Sequence, residues 1–84
     1  MTGDYRHVEI FGMTDTAAQE AVLHALRAHN DLTVEATESG GKPMVTVRCL
    51  SPWRASSVAS RVAALDPGSI LIRTSSEMHD GLAV

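Results

Sequence analysis

The sequence predicts an α+β fold in which strands and helices follow the order β-α-β-β-α-β. Two stretches carry apolar residues at a spacing of three to four, which is typical of amphipathic helices. Four shorter stretches alternate apolar and polar residues, which is typical of half-buried strands. The chain has 84 residues, 44% of them hydrophobic, so we expect one domain over 1–84. Its core should lie within about 5–75, and 76–84 should be an irregular C-terminal tail.

The first strand and the first helix occupy the first third of the chain. Residues 5–12 alternate, and Val8 and Ile10 are expected to face inward. Residues 14–16 offer three side chains that can cap a helix N-terminus. We therefore expect the first helix over about 15–29.

A β-hairpin is predicted in the middle of the chain. Residues 32–37 and 44–50 both alternate, and a segment rich in turn-forming residues, 38–43, joins them. The second strand of this hairpin should turn Val45 and Val47 inward.

The second helix and the fourth strand follow. The dipeptide Ser51–Pro52 predicts a helix start, with serine as the cap and proline at the first helical position. Residues 66–68 should end that helix sharply. Residues 69–75 are expected to form the last strand, with Ile70 and Ile72 facing inward.

This order of elements is that of a ferredoxin-like split βαβ unit. Right-handed crossovers then give a four-stranded antiparallel sheet of order 4-1-3-2, with both helices on one face. The opposite face of the sheet is left uncovered. The residues expected to face inward are Val8, Ile10, Val22, Leu26, Val34, Val45, Val47, Val58, Val62, Leu65, Ile70 and Ile72.

The uncovered face is the expected functional surface. Its centre is predicted to carry His7, Phe11, Thr46 and Arg48. Aromatic and arginine side chains are enriched in protein interfaces, so a protein partner is expected, possibly a second copy that makes a homodimer. The same side chains also fit an ordinary solvated face. Trp53, in the first turn of the second helix, is a competing contact residue.

Other partner classes are not expected. The net charge of −3 argues against nucleic acid as a partner. No apolar run approaches the ~20 residues of a membrane span, and no secretion signal is visible, so we expect a cytoplasmic protein without a membrane partner. The single cysteine, Cys49, excludes an internal disulfide and is expected to be a small buried hydrophobic residue.

Residues 12–18 resemble the metal loop of heavy-metal-associated domains, a Gly-Met-x-Cys-x-x-Cys run after the first strand. Gly12 and Met13 match that motif, whereas Asp15 and Ala18 stand at the two cysteine positions. Because Cu(I) requires soft thiolate ligands, we expect no metal site and no cofactor.

Residues 7–75 also resemble ACT-type domains, small βαββαβ regulatory modules that pair and bind amino acids at their interfaces. That resemblance implies a ligand loop formed by Gly12, Met13, Thr14 and Asp15.

The dimeric αβ-barrel family is similar in topology and implies a cofactorless enzyme. Tyr5, His7, Phe11 and Arg48 would then line a cavity between paired sheets. The residues favour a non-catalytic protein-binding module first, an ACT-like ligand sensor second and this enzyme third.

Overall fold

The computed structural model describes the backbone of residues 4–79 and the side chains of residues 7–76. Its strands form one antiparallel sheet of order β2-β3-β1-β4, which is the expected order 4-1-3-2 counted from the opposite edge. Both helices pack on one face of this sheet. The predicted α+β, ferredoxin-like fold is therefore confirmed. The elements are β1 (Asp4–Gly12), α1 (Thr16–Arg27), β2 (Thr33–Ser39), β3 (Lys42–Cys49), α2 (Pro52–Leu65) and β4 (Ile70–His79).

Both helices begin at polar caps. An Asp15 carboxylate oxygen accepts a hydrogen bond from the Ala18 backbone N–H at 2.8 Å, so Asp15 is the cap among the three candidates. The Ser51 hydroxyl accepts from the Arg54 N–H at 3.1 Å and Pro52 is the first helical residue, as predicted.

The β2–β3 hairpin is tighter than the predicted loop. Gly40 and Gly41 have φ angles of 60° and 82°, and Ser39 pairs with Lys42 across them. Two consecutive residues with positive φ are typical of a two-residue hairpin turn, and glycine adopts this conformation at no steric cost.

The core lies between the helices and the sheet. Leu26, Val22, Val45, Val58 and Val62 are among its most completely buried side chains. Leu65 packs at its border.

The first strand faces the opposite way from the prediction. Phe11 lies opposite Val45, an inward residue of β3, and joins the core with 2% exposure. Val8 and Ile10 therefore face the uncovered side of the sheet, although Val8 is buried there. The expectation that Phe11 lies on the uncovered face was wrong.

The physical reason is that the alternation of β1 continues past Gly12. Phe11 and Met13 both enter the core, with Gly12 between them on the other face. Burying a phenylalanine and a methionine removes more apolar surface from water than burying Val8 and Ile10. The larger pair determines which face of β1 turns inward.

The fourth strand also faces the opposite way from the prediction, because it pairs with β1 and follows the orientation that Phe11 and Met13 set. Leu71 pairs with Phe11 and so lies on the helix side, while Ile70 pairs with Gly12 on the uncovered side. A bulge in β4 leaves Ile72 on the uncovered side too, where a Cβ at Gly12 would lie 3.1 Å from its Cδ1. The prediction that Ile70 and Ile72 face inward was wrong.

Strand β4 is also longer than predicted. It pairs with β1 as far as Asp4 opposite His79, so residues 76–79 continue the strand instead of beginning an irregular tail. The rest of the predicted tail, 80–84, lies outside the described residues.

Candidate protein-binding surface

Three consecutive large apolar side chains are exposed at the start of β4. Ile70, Leu71 and Ile72 are 66%, 47% and 54% exposed. We call these three residues the β4 patch. β4 is an edge strand, so it also offers backbone N–H and C=O groups that no strand within residues 4–79 pairs.

The β4 patch is open on both faces of the sheet. Leu71 is half exposed on the helix side, whereas its neighbour across the strands, Phe11, is buried. The helices pack over β1 but do not extend over β4, so the helix side of β4 is exposed to solvent. Ile70 and Ile72 project from the opposite face, on which no helix of residues 4–79 packs.

The sheet's other edge, β2, is protected. The Val34 carbonyl accepts a hydrogen bond from Arg27 at 3.5 Å. Exposed Glu35 adds a charge to this strand. Charged side chains and covered backbone groups are the usual means of discouraging pairing at a sheet edge. The two edges of this sheet therefore differ in their capacity to accept a further strand.

A shallow groove of about 350 Å³ adjoins the β4 patch. We call it the Gly12 groove, because Gly12 and Met13 contribute to its lining together with Ile70 and Ile72. Lys42 is the charged residue in a lining that is otherwise mostly apolar.

Two of the predicted contact residues lie on the uncovered face. Thr46 is buried there, and Arg48 is partly buried. Arg48 Nη1 lies 3.2 Å from the Glu35 carboxylate across the β2–β3 pair. This part of the face is therefore occupied by an internal ion pair.

His7 lies on the opposite side, with Phe11. His7 pairs with Cys49, an inward residue, and its Nδ1 is 3.3 Å from the Ser76 hydroxyl. The structure does not bring His7 and Phe11 together with Thr46 and Arg48. The αβ-barrel interpretation required them on one face, and Tyr5, its fourth residue, has a side chain outside the described set.

Glu9 is a buried acid beside His7. It is 6% exposed, and its Oε1 has no hydrogen-bond partner among the described residues. Burial raises the pKa of Glu9 above its ordinary value, while nearby His7 opposes that rise. Buried carboxyl groups behave in this way because a low-dielectric environment disfavours the charged form.

Half of the predicted ligand loop has a structural role. Asp15 caps α1, and Thr14 donates two hydrogen bonds to Asp66, from its N–H at 2.8 Å and from its hydroxyl at 2.6 Å. These bonds hold the pKa of Asp66 below its usual range. Gly12 and Met13 are the loop residues that reach the groove.

Cys49 is buried, as expected. Its Sγ lies 3.6 Å from the Ser51 carbonyl and 3.9 Å from the His7 carbonyl. Burial raises the pKa of the Cys49 thiol, which makes a nucleophilic thiolate at this position unfavourable. Within residues 7–76, no group of three His, Cys, Asp or Glu side chains is arranged to hold a metal ion.

Trp53 is a second exposed apolar residue, at 84%. Leu50, three residues earlier in the chain, is also exposed, and we call these two residues the competing patch. Trp53 does not fold back over the helix start.

The sequence does contain a signal for the β4 patch. Successive strand residues point to opposite faces, so the run Ile70-Leu71-Ile72 cannot turn all three side chains to one core. A continuous apolar run fits a strand covered on both faces. In this fold the last strand is an edge strand, so part of this apolar run must be exposed. The run therefore indicates a surface that a partner could bury.

Comparisons with known proteins support the fold and carry no information on function. No family model and no curated protein matches this chain. A solved structure titled "De novo designed protein Foldit4" is similar, with a TM-score of 0.54, 16% identity, and coverage of 92% of this chain and 100% of that one. A designed protein described as LFR1 1 with ferredoxin fold aligns over 98% of this chain and 88% of its own, at 13% identity and a TM-score of 0.39. Within residues 4–79, no helix has the length and apolar character needed to cross a membrane.

Proposed function

We propose that this chain is a small non-catalytic protein-binding module that associates through the β4 patch. The observation that supports the proposal is the exposure of Ile70, Leu71 and Ile72 in a strand at the edge of the sheet. A long apolar edge is a liability for an isolated protein because it promotes pairing with other chains. In this protein it is better explained as a surface that a partner covers.

The test compares two double variants of the purified chain. Ile70→Lys with Ile72→Lys should weaken self-association or partner capture by about tenfold or more, because a lysine in a desolvated contact is strongly unfavourable. Both positions are more than half exposed in the free chain, so the fold should persist by circular dichroism.

The matched control changes the competing patch. Leu50→Lys with Trp53→Lys introduces the same two charges at residues that are even more exposed on average. Light scattering gives the mass, and pull-down with the tagged chain gives capture. If the control loses binding and the β4 variant does not, the helix end is the working surface and the proposal fails.

A second candidate is an ACT-like ligand-sensing domain, and the Gly12 groove supports it. Gly12 and Met13, two residues of the implied ligand loop, line a space of about 350 Å³, which is within the range of small-molecule sites. Lys42 could pair with a carboxylate. Amino acids that bind there would raise the Tm of the parent, and Lys42→Ala should reduce that rise. Unchanged Tm values with all twenty amino acids would reject this candidate.

A further inference from the structure

We infer that the occupant of the β4 patch is a second copy of this chain, joined edge to edge by antiparallel pairing of β4 with β4. This inference rests on the proposed function and specifies its partner. The two sheets would become one continuous eight-stranded sheet, with the two-fold axis passing near Leu71.

The β4 patch is exposed on both faces of the sheet, and this favours a contact along the β4 edge over a contact on either face. A partner that covered the uncovered face of the sheet would bury Ile70 and Ile72 but would leave Leu71 in water. A partner on the helix side would do the reverse. An added strand brings its own side chains to both faces at once, so it covers all three residues.

The sequence of the patch is complementary to itself. In an antiparallel pair centred on Leu71, the Leu71 side chains of the two copies meet on the helix side. Ile70 of each copy then lies opposite Ile72 of the other, on the uncovered side. The pattern Ile-Leu-Ile is symmetric about its centre, which suits the isologous contact of a two-fold dimer.

A second copy also supplies the cover that the helix layer lacks. In one chain α2 packs on β1 and β3, and the helix side of β4 is left open. In the pair, the Leu71 side chains of both copies would lie between the two α2 helices and close that gap. The β4 bulge places Ile72 on the uncovered side next to exposed Arg73. In the pairing centred on Leu71, Arg73 would lie opposite Ser69 of the other copy, outside the three apolar pairs.

Disulfide trapping tests this geometry. Cα atoms of directly opposed residues in antiparallel strands lie about 4.5–5.5 Å apart, which is within disulfide range. We therefore expect Leu71→Cys to form an intermolecular disulfide in mild oxidant and to give a covalent dimer in non-reducing electrophoresis. The native Cys49 is buried and should not interfere.

The control places a cysteine on the protected edge. Thr33 is also exposed, on β2, and Thr33→Cys should stay mainly monomeric. Circular dichroism checks that both variants fold, and light scattering of the parent reports its mass independently of any substitution.

The outcomes separate the two proposals. A parent dimer in which Leu71→Cys links several times more efficiently than Thr33→Cys supports the edge pairing. A parent dimer with equal or reversed linking overturns this arrangement and leaves self-association standing. A parent that is monomeric up to millimolar concentration overturns the second copy as partner. The protein-binding function then fails as well only if Ile70→Lys with Ile72→Lys captures the same proteins as the parent.

Discussion

Phe11 shows how one residue determines the orientation of a whole strand. It is 2% exposed and packs in the core, so its replacement tests fold stability and not binding. We expect Phe11→Ala to lower the free energy of unfolding by about 3–5 kcal/mol, from lost transfer energy and a residual cavity. Urea denaturation measures this, with Trp53→Ala as the exposed aromatic control that should change stability by less than about 0.5 kcal/mol. Equal losses in both variants would show that Phe11 is not a core residue.

Glu9 gives the fold a dependence on pH. Its pKa is raised by burial, so the folded state keeps this proton at pH values where the unfolded chain has lost it. The free energy of unfolding should therefore fall as pH rises from the ordinary pKa of a glutamate through the raised one. Above that window the full cost of the buried charge is present.

Glu9→Gln removes this cost because glutamine is neutral and of similar size. We expect the variant to be more stable than the parent at pH 7 and close to it at pH 4, as measured by urea denaturation at both values. Glu38→Gln, at an exposed position, should change stability little at either pH. A Glu9→Gln variant that is stabilised equally at both pH values would exclude titration of Glu9 as the cause.

Two loops at one end of the sheet are joined by Thr14 and Asp66, and Gly68 is packed against that junction. A Cβ at Gly68 would lie 2.5 Å from the Thr14 hydroxyl oxygen, which is itself hydrogen-bonded to Asp66. We expect Gly68→Ala to cost about 1–3 kcal/mol by overpacking and by displacing that hydroxyl.

A double-mutant cycle identifies the cause. In a Thr14→Ala background the hydroxyl is absent, so adding Gly68→Ala should cost much less than it does in the parent. Additive losses in thermal or urea unfolding would show that the steric conflict involves some other group.

The elements of this fold follow from the sequence more closely than their orientations do. Ser51 and the paired glycines 40 and 41 act through local hydrogen bonds and backbone angles, so the start of α2 and the hairpin could be predicted. The faces of β1 and β4 depend on pairing between distant strands. Phe11 pairs with Leu71, so the orientation of β4 depends on that of β1 and does not follow from alternation within residues 69–75 alone.

The prediction that His7, Phe11, Thr46 and Arg48 share one face was wrong because it also depended on pairing between distant strands. Alternation alone predicts His7 and Phe11 on the uncovered face, whereas the register with β3 puts them on the helix side. Trp53 needed no long-range information, because its position in the first turn of α2 follows from the Ser51 cap, and it is exposed.

At the scale of the whole molecule, self-association should make stability depend on protein concentration. A partner that binds only the folded chain adds to the free energy of unfolding in proportion to the logarithm of its concentration. We expect the Tm of the parent to rise as concentration increases from micromolar to hundreds of micromolar. Calorimetry or circular dichroism at several concentrations measures this, and the Tm of Ile70→Lys with Ile72→Lys should stay constant. A concentration-independent Tm for the parent would contradict association in that range.

The hydrogen bond from Arg27 to the Val34 carbonyl of β2 has a consequence for how far such an assembly can grow. A sheet with two receptive edges would add copies without end and form a filament, as non-closing contacts do. Here Arg27 of α1 satisfies the Val34 carbonyl and Glu35 adds a charge to β2, so under the proposed pairing β4 is the edge that each chain offers. Two chains use up both available edges, and the assembly is closed. Under this arrangement, α1 helps to stop the assembly at two chains by occupying part of the β2 edge.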